Sequence, residues 1–305
     1  MATTVRPQEL VPLPVPTLSH RRVSSRRSKK ARVKLTRLVA TVLAIMGALA
    51  VLFPIAWMIS TSLKTKLEAI ALPPTFFPAV PQWHNYKDAL TFNRFDLYFR
   101  NTVFYTLVGT FGQVLSSSLV AYGFARLRAR GRNLIFLLVL STMMLPFEVT
   151  VIPQYVMFSR MGWLNSYKPL LVPAFFGSAY SIFLMRQFYA GIPKEMDEAA
   201  IIDGCGFLAI WYRLILPLSK PALGAIAILS FMWRWNDYMG PLIYINSNEK
   251  YTLSLGLKMF RAPEEGTPFH WLMAASLTTV LPCILVFFAT QRYFIQGIVI
   301  TGVKG

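Results

Sequence analysis

The sequence is poor in cysteine, histidine and acidic residues. Its 305 residues include two cysteines, three histidines and 13 acidic residues, against 31 basic ones. The spacing of Cys205 and Cys283 suits neither a zinc site nor a C-x-x-C redox motif, and His20, His84 and His270 are too scattered to suggest a metal site. No clustered set of catalytic groups appears either. We therefore predict no metal site, no catalytic residue and no enzymatic activity in this chain.

The sequence also lacks a phosphate-binding loop of the form G-x-x-x-x-G-K-[ST]. If the protein works with ATP, another chain must therefore bind the nucleotide. Charge is scarce as well, because 14% of the residues are charged whereas 55% are hydrophobic. A soluble chain of this length normally carries more charge, so the composition indicates a membrane protein.

Long apolar runs are what the sequence has instead. A transmembrane helix needs about 20 mostly apolar residues, and residues 38–63, 101–125 and 271–291 satisfy that requirement. Three further runs are shorter, and two of them reach spanning length when a few polar groups are admitted. The short runs lie at 133–147, 169–185 and 221–233, and the first and last of these extend to 158 and 245. We predict an all-α, polytopic membrane protein with about six transmembrane helices.

The distribution of lysine and arginine predicts the orientation. With the N-terminus inside, most of the 31 basic residues fall on the inner side, including Arg126 and the three arginines that follow it. We therefore expect both termini in the cytoplasm and the chain in the cytoplasmic membrane of a bacterium. The predicted segments are a disordered basic cytoplasmic N-terminus (1–37), a first transmembrane helix (38–63), an external connection (64–98), a membrane core (99–295) with an internal polar segment (189–220), and a cytoplasmic tail (296–305).

The basic tract within residues 1–37 directly precedes an apolar run. This position is typical of an anchor on the anionic lipid of the bilayer. No folded basic module and no aromatic stacking platform accompany the tract, so we predict no binding of nucleic acid.

The internal polar segment, residues 189–220, follows the local rules for helix–turn–helix. Pro193 suits the first helical position, and acidic residues behind it favour the positive end of a helix dipole. Gly204 suits the left-handed position that ends a helix, and Pro217 would stop or kink a second helix. The acids are Glu195, Asp197 and Glu198, and Ala199 and Ala200 form a nearly flat patch. Such a helix can dock into a groove on a partner, but an ordinary capped loop fits these rules equally well.

Beyond these rules, the segment resembles a known family. Glu198-Ala199-Ala200-x-x-Asp203-Gly204, followed by Ile215-Leu216-Pro217-Leu218-x-x-Pro221, resembles the EAA signature of binding-protein-dependent ABC importer permeases. Cys205 stands where that family commonly has alanine. Further stretches resemble carbohydrate permeases of this family and the end of the maltose-type second permease, and the resemblance covers most residues from about 50 to 305. These stretches are Phe53-Pro54 to Lys64, Met144-Leu145-Pro146 to Pro153, Gly162-Trp163-Leu164-Asn165, Trp235-Asn236-Asp237 with Pro241-Leu242, and Gly297 to Gly305.

The resemblance implies a type I (MetI-like) permease fold over residues 99–295 and transport of a sugar, an oligosaccharide or a related polyol by alternating access. It implies as partners a second homologous permease, ATP-binding cassette subunits and an extracytoplasmic solute-binding protein. ATP and magnesium would be held by the ATPase, and this chain would bind no cofactor. The residues that the resemblance places at the ATPase contact are Glu198, Ala199, Ala200, Asp203, Gly204 and Pro217.

Ionisable residues within predicted spans are a second candidate site, because they are costly there and normally face a cavity or a partner. Arg234 and Asp237 are three residues apart, so they would share a helix face and could pair. A structural ion pair and a sugar path lined by acids, amides and aromatic rings are equally good interpretations. The candidate path residues are Glu148, Gln154, Trp233, Trp235, Asn236 and Asp237.

Two other function classes stay open. An ion-coupled secondary transporter would show paired, interrupted spans in two halves, and no such halves are visible. A membrane scaffold or membrane-embedded enzyme would need no partner ATPase, and the enzyme would show clustered catalytic groups.

Overall fold

The computed structural model describes residues 24–260 and 266–302. Its regular secondary structure is helical, and no strand occurs in those residues. Short 3₁₀ or π turns join several of the α-helices. In chain order these are α1 (Ser24–Ser62), α2 (Lys66–Ile70), α3 (His84–Thr91), α4 (Phe95–Arg126), α5 (Arg132–Ser141), α6 (Phe147–Arg160), α7 (Lys168–Leu171), α8 (Ala179–Ala190), α9 (Glu195–Ile202), α10 (Phe207–Ile210), α11 (Leu216–Leu218), α12 (Lys220–Trp235), α13 (Met239–Tyr244), α14 (Leu253–Lys258) and α15 (Phe269–Gly302).

Four helical stretches are long and apolar enough to cross a membrane, and two bent helix pairs raise the number to six if each pair is one span. The predicted number of about six corresponds to the upper value. The four stretches are Lys34–Ser62, Phe95–Arg126, Lys168–Ala190 and Phe269–Gln291. The bent pairs are Arg132–Met144 with Phe147–Arg160, which meet at 101°, and Phe207–Leu218 with Lys220–Trp235, which meet at 81°.

Both ends of the described chain are more helical than predicted. Residues 24–37 were assigned to a disordered terminus but form the beginning of α1, and residues 1–23 lie outside the described part. Residues 296–302 were assigned to a tail but continue α15. In each case the helix continues past the apolar stretch. Adding residues to an existing long helix avoids the unfavourable nucleation step, so polar residues can also adopt helical geometry there.

The first bend follows from a proline. Leu145 and Pro146 have extended backbone between the helical segments, because the residue before a proline is driven out of the α region. The predicted continuous run 133–158 is therefore interrupted. Pro153 and Pro282 lie inside α6 and α15 without ending them.

The second bend lies at Ser219, two residues beyond Pro217, which had been predicted to stop or kink the helix. The chain passes Pro217 through a wide π turn, in which the Leu216 N–H donates to the Trp211 carbonyl. A wide turn makes room for the proline ring, which in an α-helix clashes with the carbonyl four residues earlier. The predicted run 221–245 is also divided, because α12 ends at Trp235 and α13 begins at Met239.

The chain divides into two units, residues 1–56 and residues 57–305. The first contains most of α1. In the second, α4 packs against α8 and α12, and α12 packs against α15. Two buried clusters lie near the opposite ends of α4. The cluster near its C-terminal end includes Ala121, Tyr122, Met185, Tyr189, Ile210 and Ile215, and the cluster near its N-terminal end includes Phe95, Tyr98, Phe231, Trp235, Leu253 and Phe260.

Candidate functional site

The predicted coupling segment folds as a short helix, a glycine turn and a second helix. α9 begins at Glu195, two residues after Pro193, and its last N–H-to-carbonyl bonds lead into Gly204. Gly204 has a φ of +80°, which is the left-handed conformation that favours glycine. The prediction of a helix-ending glycine at this position is confirmed.

Most of the predicted coupling residues are exposed. Ala200 is half-buried and packs against the buried cluster near the C-terminal end of α4. Beside them lie exposed apolar side chains, of which Ile202 is 85% exposed. We call the exposed set the coupling surface, and it consists of Glu198, Ala199, Ile201, Ile202, Asp203, Gly204, Phe207 and Leu208, with Pro217 exposed further along. A contiguous stretch of exposed apolar and acidic groups is typical of an interaction surface.

Arg126 ties the coupling segment to the end of α4. Its Nη2 donates to the carbonyls of Tyr189 and Ile192, at 2.8 Å each, where α8 ends. Its Nη1 lies 3.3 Å from Oδ2 of Asp197, in the first turn of α9, and the side chains are 3% and 16% exposed. Burial raises the pKa of the Asp197 carboxyl above its ordinary value, while the Arg126 charge acts in the opposite direction. Sequence reasoning missed this pair because its members are distant in the chain and carry no motif spacing.

A second group of polar side chains joins α4 to the end of α12. Arg234 is 5% exposed, and its Nη2 donates to Oε1 of Gln113 at 3.0 Å. Its guanidinium also lies 5.7 Å from the centroid of the Tyr105 ring. The Tyr105 hydroxyl donates to Oδ2 of Asp237 at 2.7 Å, and the Gly240 N–H donates to Oδ1 at 3.0 Å. We call Tyr105, Gln113, Arg234 and Asp237 the inter-helix polar cluster.

The hypothesis of a direct Arg234–Asp237 ion pair is wrong. No nitrogen–oxygen contact within 4.0 Å joins their side chains in the part of the chain that the structure describes. The physical reason is that α12 ends at Trp235, so the two residues do not share a helical face. Tyr105 contacts both of them instead.

The remaining path candidates lie in different surroundings. Trp235 is buried, and its Nε1 donates to the Thr279 carbonyl at 3.0 Å. Trp233 is 65% exposed. Asn236 is exposed, and its Nδ2 donates to the Met232 carbonyl at 2.8 Å. Glu148 is exposed and Gln154 half-buried, both on α6, and among the described residues no hydrogen bond connects these two side chains with residues 233–237. The candidate path residues at the end of α12 therefore do not share one environment, and within the described residues no hydrogen bond links the α6 pair to them.

At the opposite end of α4 from Arg126, two loops are joined by hydrogen bonds. The Asn165 side chain donates to Oγ of Ser247 at 2.6 Å, and Nζ of Lys250 donates to the Asn165 carbonyl at 2.6 Å. Asn101, near the start of α4, donates to the Glu249 carbonyl at 2.8 Å. We call this arrangement the loop clamp. It fixes the connection after α13 against the connection after α6.

Comparison with known proteins decides the family. Residues 113–300 match the family model described as "Binding-protein-dependent transport system inner membrane component". This match covers more than half of the chain and contains the coupling surface, most of the inter-helix polar cluster and Asn165 of the loop clamp. The chain belongs to this family.

Individual relatives agree with the assignment. The chain is 35% identical, over 274 residues, to the arabinooligosaccharides transport system permease protein AraQ of Bacillus subtilis, covering 88% of this chain and 96% of the relative. It is 34% identical, over 265 residues, to the sn-glycerol-3-phosphate transport system permease protein UgpE of Pectobacterium atrosepticum, covering 85% and 94%. A solved bacterial ABC transporter involved in the import of the acidic polysaccharide alginate has a chain that matches with a TM-score of 0.78 and 27% identity, covering 86% of this chain and 97% of that one.

Family membership decides among the alternatives that the sequence left open. The resemblance to binding-protein-dependent ABC importer permeases is confirmed, and so is the all-α polytopic permease fold. The chain is a subunit of a transport system rather than an enzyme, an ion-coupled secondary transporter or a scaffold. It is a multi-pass protein of the membrane.

Proposed function

We propose that this permease imports a sugar, an oligosaccharide or a related polyol with energy from ATP held by other subunits. Support comes from the names of its relatives, which are transport permeases for arabinooligosaccharides, sn-glycerol-3-phosphate and lactose. The proposed partners are a second homologous permease, ATP-binding cassette subunits that hold ATP and magnesium, and an extracytoplasmic solute-binding protein. This chain itself binds no cofactor in the proposal.

The coupling surface is the observation that carries the proposal. Ile202 and Phe207 are exposed beside the acidic Glu198, and a large apolar side chain left in water is favourable to bury, by about 1.5–3 kcal/mol when burial is complete. The Ala199 side chain is a single methyl group, so a groove on the ATPase can approach the backbone of α9 closely. Gly204 supplies the turn that presents this helix.

In the proposed cycle, ATP binding brings the two ATPase subunits together, and the coupling surface moves with the subunit that it contacts. The motion passes to the membrane helices, which expose the transport path to one side and then to the other. Trp233 and Asn236 are exposed at the end of α12 and Glu148 is exposed on α6, so their side chains are available for a sugar. Gln154 is half-buried on α6. Trp235 and Asp237 already have protein partners, and we assign to them the shaping of the path.

The proposal includes an orientation. Both termini and the coupling surface lie in the cytoplasm, the basic tract within residues 1–37 contacts anionic lipid, and residues 64–98 lie outside. The loop clamp then lies on the outer side, where the solute-binding protein docks. The segments 99–295 and 296–305 keep their proposed roles as transport core and terminal segment.

The test compares two glycines of the coupling segment. A Cβ at Gly204 or at Gly206 would meet no atom within 4 Å, but only Gly204 has a positive φ. Gly204→Ala should therefore strain the turn by roughly 1–2 kcal/mol, whereas Gly206→Ala should not. We expect Gly204→Ala and Glu198→Lys to weaken the capture of a co-expressed ATPase from nanodiscs, and Gly206→Ala to leave it intact.

A charge reversal elsewhere serves as the second control. Arg130→Glu changes an exposed residue of the connection after α4 and should leave ATPase capture at the wild-type level. Equal capture by wild type, Gly204→Ala and Glu198→Lys, together with undiminished ATP-dependent uptake of labelled lactose or glycerol 3-phosphate, would contradict the proposed coupling role.

A further inference from the structure

A basic cavity of about 310 Å³ lies between the end of α4 and the start of α5. Two spans meet here, because α4 ends at Arg126 and the first bent pair begins at Arg132. The cavity therefore lies where the chain leaves the membrane and enters it again. This is the side of the coupling surface, since Arg126 contacts Asp197 of α9. The residues that line the cavity are Arg128, Ala129, Gly131, Arg132, Asn133 and Leu134.

The two arginines of the cavity have no acidic partner. Arg132 is half-buried, and its Nη1 donates to the Leu127 carbonyl at 2.7 Å, so its guanidinium is held at the cavity. Arg128 is exposed. In the part of the chain that the structure describes, no carboxylate lies within 4.0 Å of either guanidinium. The first turn of α5 contains no acidic residue either. The cavity thus carries two positive charges that are not balanced locally.

A third guanidinium lies on the same face of α5. Arg186 of α8 lies 4.2 Å from the centroid of the Phe136 ring, and Phe136 follows Arg132 by about one helical turn. The Nε of Arg186 is buried without a hydrogen-bond partner, and no carboxylate lies within 4.0 Å of this side chain among the described residues. Unbalanced positive charge therefore extends from the cavity along α5.

Beyond the cavity, α5 exposes large apolar side chains. Leu134, which lines the cavity, is 63% exposed, and Leu138, about one turn further, is 59% exposed. Such side chains favour hydrocarbon over water. A molecule with an anionic head and a hydrocarbon tail would match both the arginines and the leucines, whereas a free anion would match only the arginines.

We propose that this cavity binds the phosphate group of an anionic phospholipid, with Arg128 and Arg132 as its ligands and an acyl chain along Leu134 and Leu138. Arginine donates charge-assisted hydrogen bonds to phosphate in a planar fork, and basic pockets at the cytoplasmic ends of membrane helices bind anionic headgroups. A headgroup with its own cation, such as choline, is disfavoured by the unbalanced positive charge. The inference goes beyond the proposed function and takes from it only the orientation.

The test measures which lipid lies beside α5. The importer, with its partner permease and ATPase, is reconstituted in nanodiscs and labelled with a fluorophore at Leu138→Cys, an exposed position, in a Cys205→Ala, Cys283→Ala background. The same complex without Leu138→Cys gives the background signal. Phosphatidylglycerol or phosphatidylcholine that carries a nitroxide quencher on an acyl chain is titrated, and the quenching gives the association constant of each lipid at this position.

We expect phosphatidylglycerol to bind more tightly than phosphatidylcholine. Arg128→Gln and Arg132→Gln should each lower the association constant of phosphatidylglycerol by about tenfold, since each removes a charge-assisted hydrogen bond. Arg130→Gln is the matched control, because it removes the same charge from the same connection but Arg130 does not line the cavity. It should lower the constant by about twofold at most, because an exposed charge is screened by salt. Capture of the co-expressed ATPase should stay at the wild-type level in all three variants.

Equal binding of the two lipids by wild type would overturn the site, and so would a wild-type association constant in both Arg128→Gln and Arg132→Gln. Equal losses in all three variants would indicate a diffuse attraction by surface charge and would overturn it too. If inorganic phosphate removes the preference and chloride of equal ionic strength does not, the cavity takes the free anion instead of the lipid.

The ATPase measurement separates this inference from the proposed function. Loss of ATPase capture in Arg128→Gln with an unchanged lipid preference would assign this arginine to the ATPase contact and would overturn the lipid site. The proposed function fails by a different result, which is the absence of ATPase capture in wild type. Failure of the lipid site with normal capture leaves the proposed function in place.

Discussion

Replacing Tyr105 with phenylalanine tests whether the inter-helix polar cluster holds α4 to the end of α12. The change removes one hydroxyl and therefore one hydrogen bond, which Tyr105 donates to Oδ2 of Asp237 at 2.7 Å. The ring remains, and with it the position over Arg234 and the stacking against Tyr167 at 6.4 Å between centroids. The variant therefore removes the interactions of the hydroxyl and keeps those of the ring.

The expected cost follows from the burial and the charge. Tyr105 is 1% exposed, so water does not easily replace the lost donor. A hydrogen bond to a charged acceptor contributes about 1.5–3 kcal/mol. At roughly 1.5 °C for each kcal/mol in a chain of 305 residues, the midpoint of thermal unfolding should fall by about 2–5 °C.

The assay is the temperature at which half of the purified permease complex remains monodisperse in detergent. Tyr180→Phe is the matched control, because Tyr180 is exposed and makes no hydrogen bond through its hydroxyl in the described part of the chain. If Tyr105→Phe and Tyr180→Phe lower that temperature equally, the Tyr105–Asp237 bond does not stabilise the helix pair. The Asp237 carboxylate would then be available for substrate instead.

Two further predictions concern a close helix contact and the turn at the start of α2. A Cβ at Gly109 would lie 2.8 Å from the Arg234 guanidinium, whereas one at Gly123 on the same helix meets nothing within 4 Å. Gly109→Ala should therefore be less stable than Gly123→Ala by about 1–3 kcal/mol in the same assay, and equal stability would show that Arg234 moves aside freely. In the turn at the start of α2, the N–H groups of Thr65 and Ala79 donate to the Glu68 carboxylate and hold its pKa below the ordinary value of 4.5. The stabilisation from this carboxylate is thus present above pH 4.5 and is lost as the pH falls through the lower folded-state pKa. Hydrogen exchange at the Ala79 amide, corrected for its intrinsic rate, should lose protection on acidification in wild type and lack it at every pH in Glu68→Ala, which has no acceptor; identical, pH-independent protection in both would contradict the role of the carboxylate.

Local chemistry was sufficient to predict some features. Gly204 was predicted to adopt the left-handed conformation because only neighbouring residues decide how a helix ends, and its φ is +80°. The long apolar runs predicted spans because hydropathy and length are properties of a single segment.

Features that depend on distant residues could not be predicted in this way. Arg126 was counted only as an inner positive charge, because nothing in its neighbourhood indicates that Asp197 faces it. Arg234 and Asp237 were expected to share a helix face, but the helix ends between them and Tyr105 on α4 contacts both. A stop or kink was predicted at Pro217, but the bend lies at Ser219. The π turn at Trp211–Ile215 widens the helix and accommodates the proline ring.

The loop clamp also has a consequence for the order in which the protein forms during synthesis. The bonds from Asn165 to Ser247 and Lys250 join residues 82 and 85 positions apart, and Asn101 reaches Glu249 across 148 positions. A ribosome that adds about 5–20 residues per second needs roughly 4–30 s to cover such distances. The early helices therefore enter the membrane before the partners of Asn101 and Asn165 have been synthesised, and these hydrogen bonds form later. The loop clamp is completed only after residues 247–250 have been synthesised.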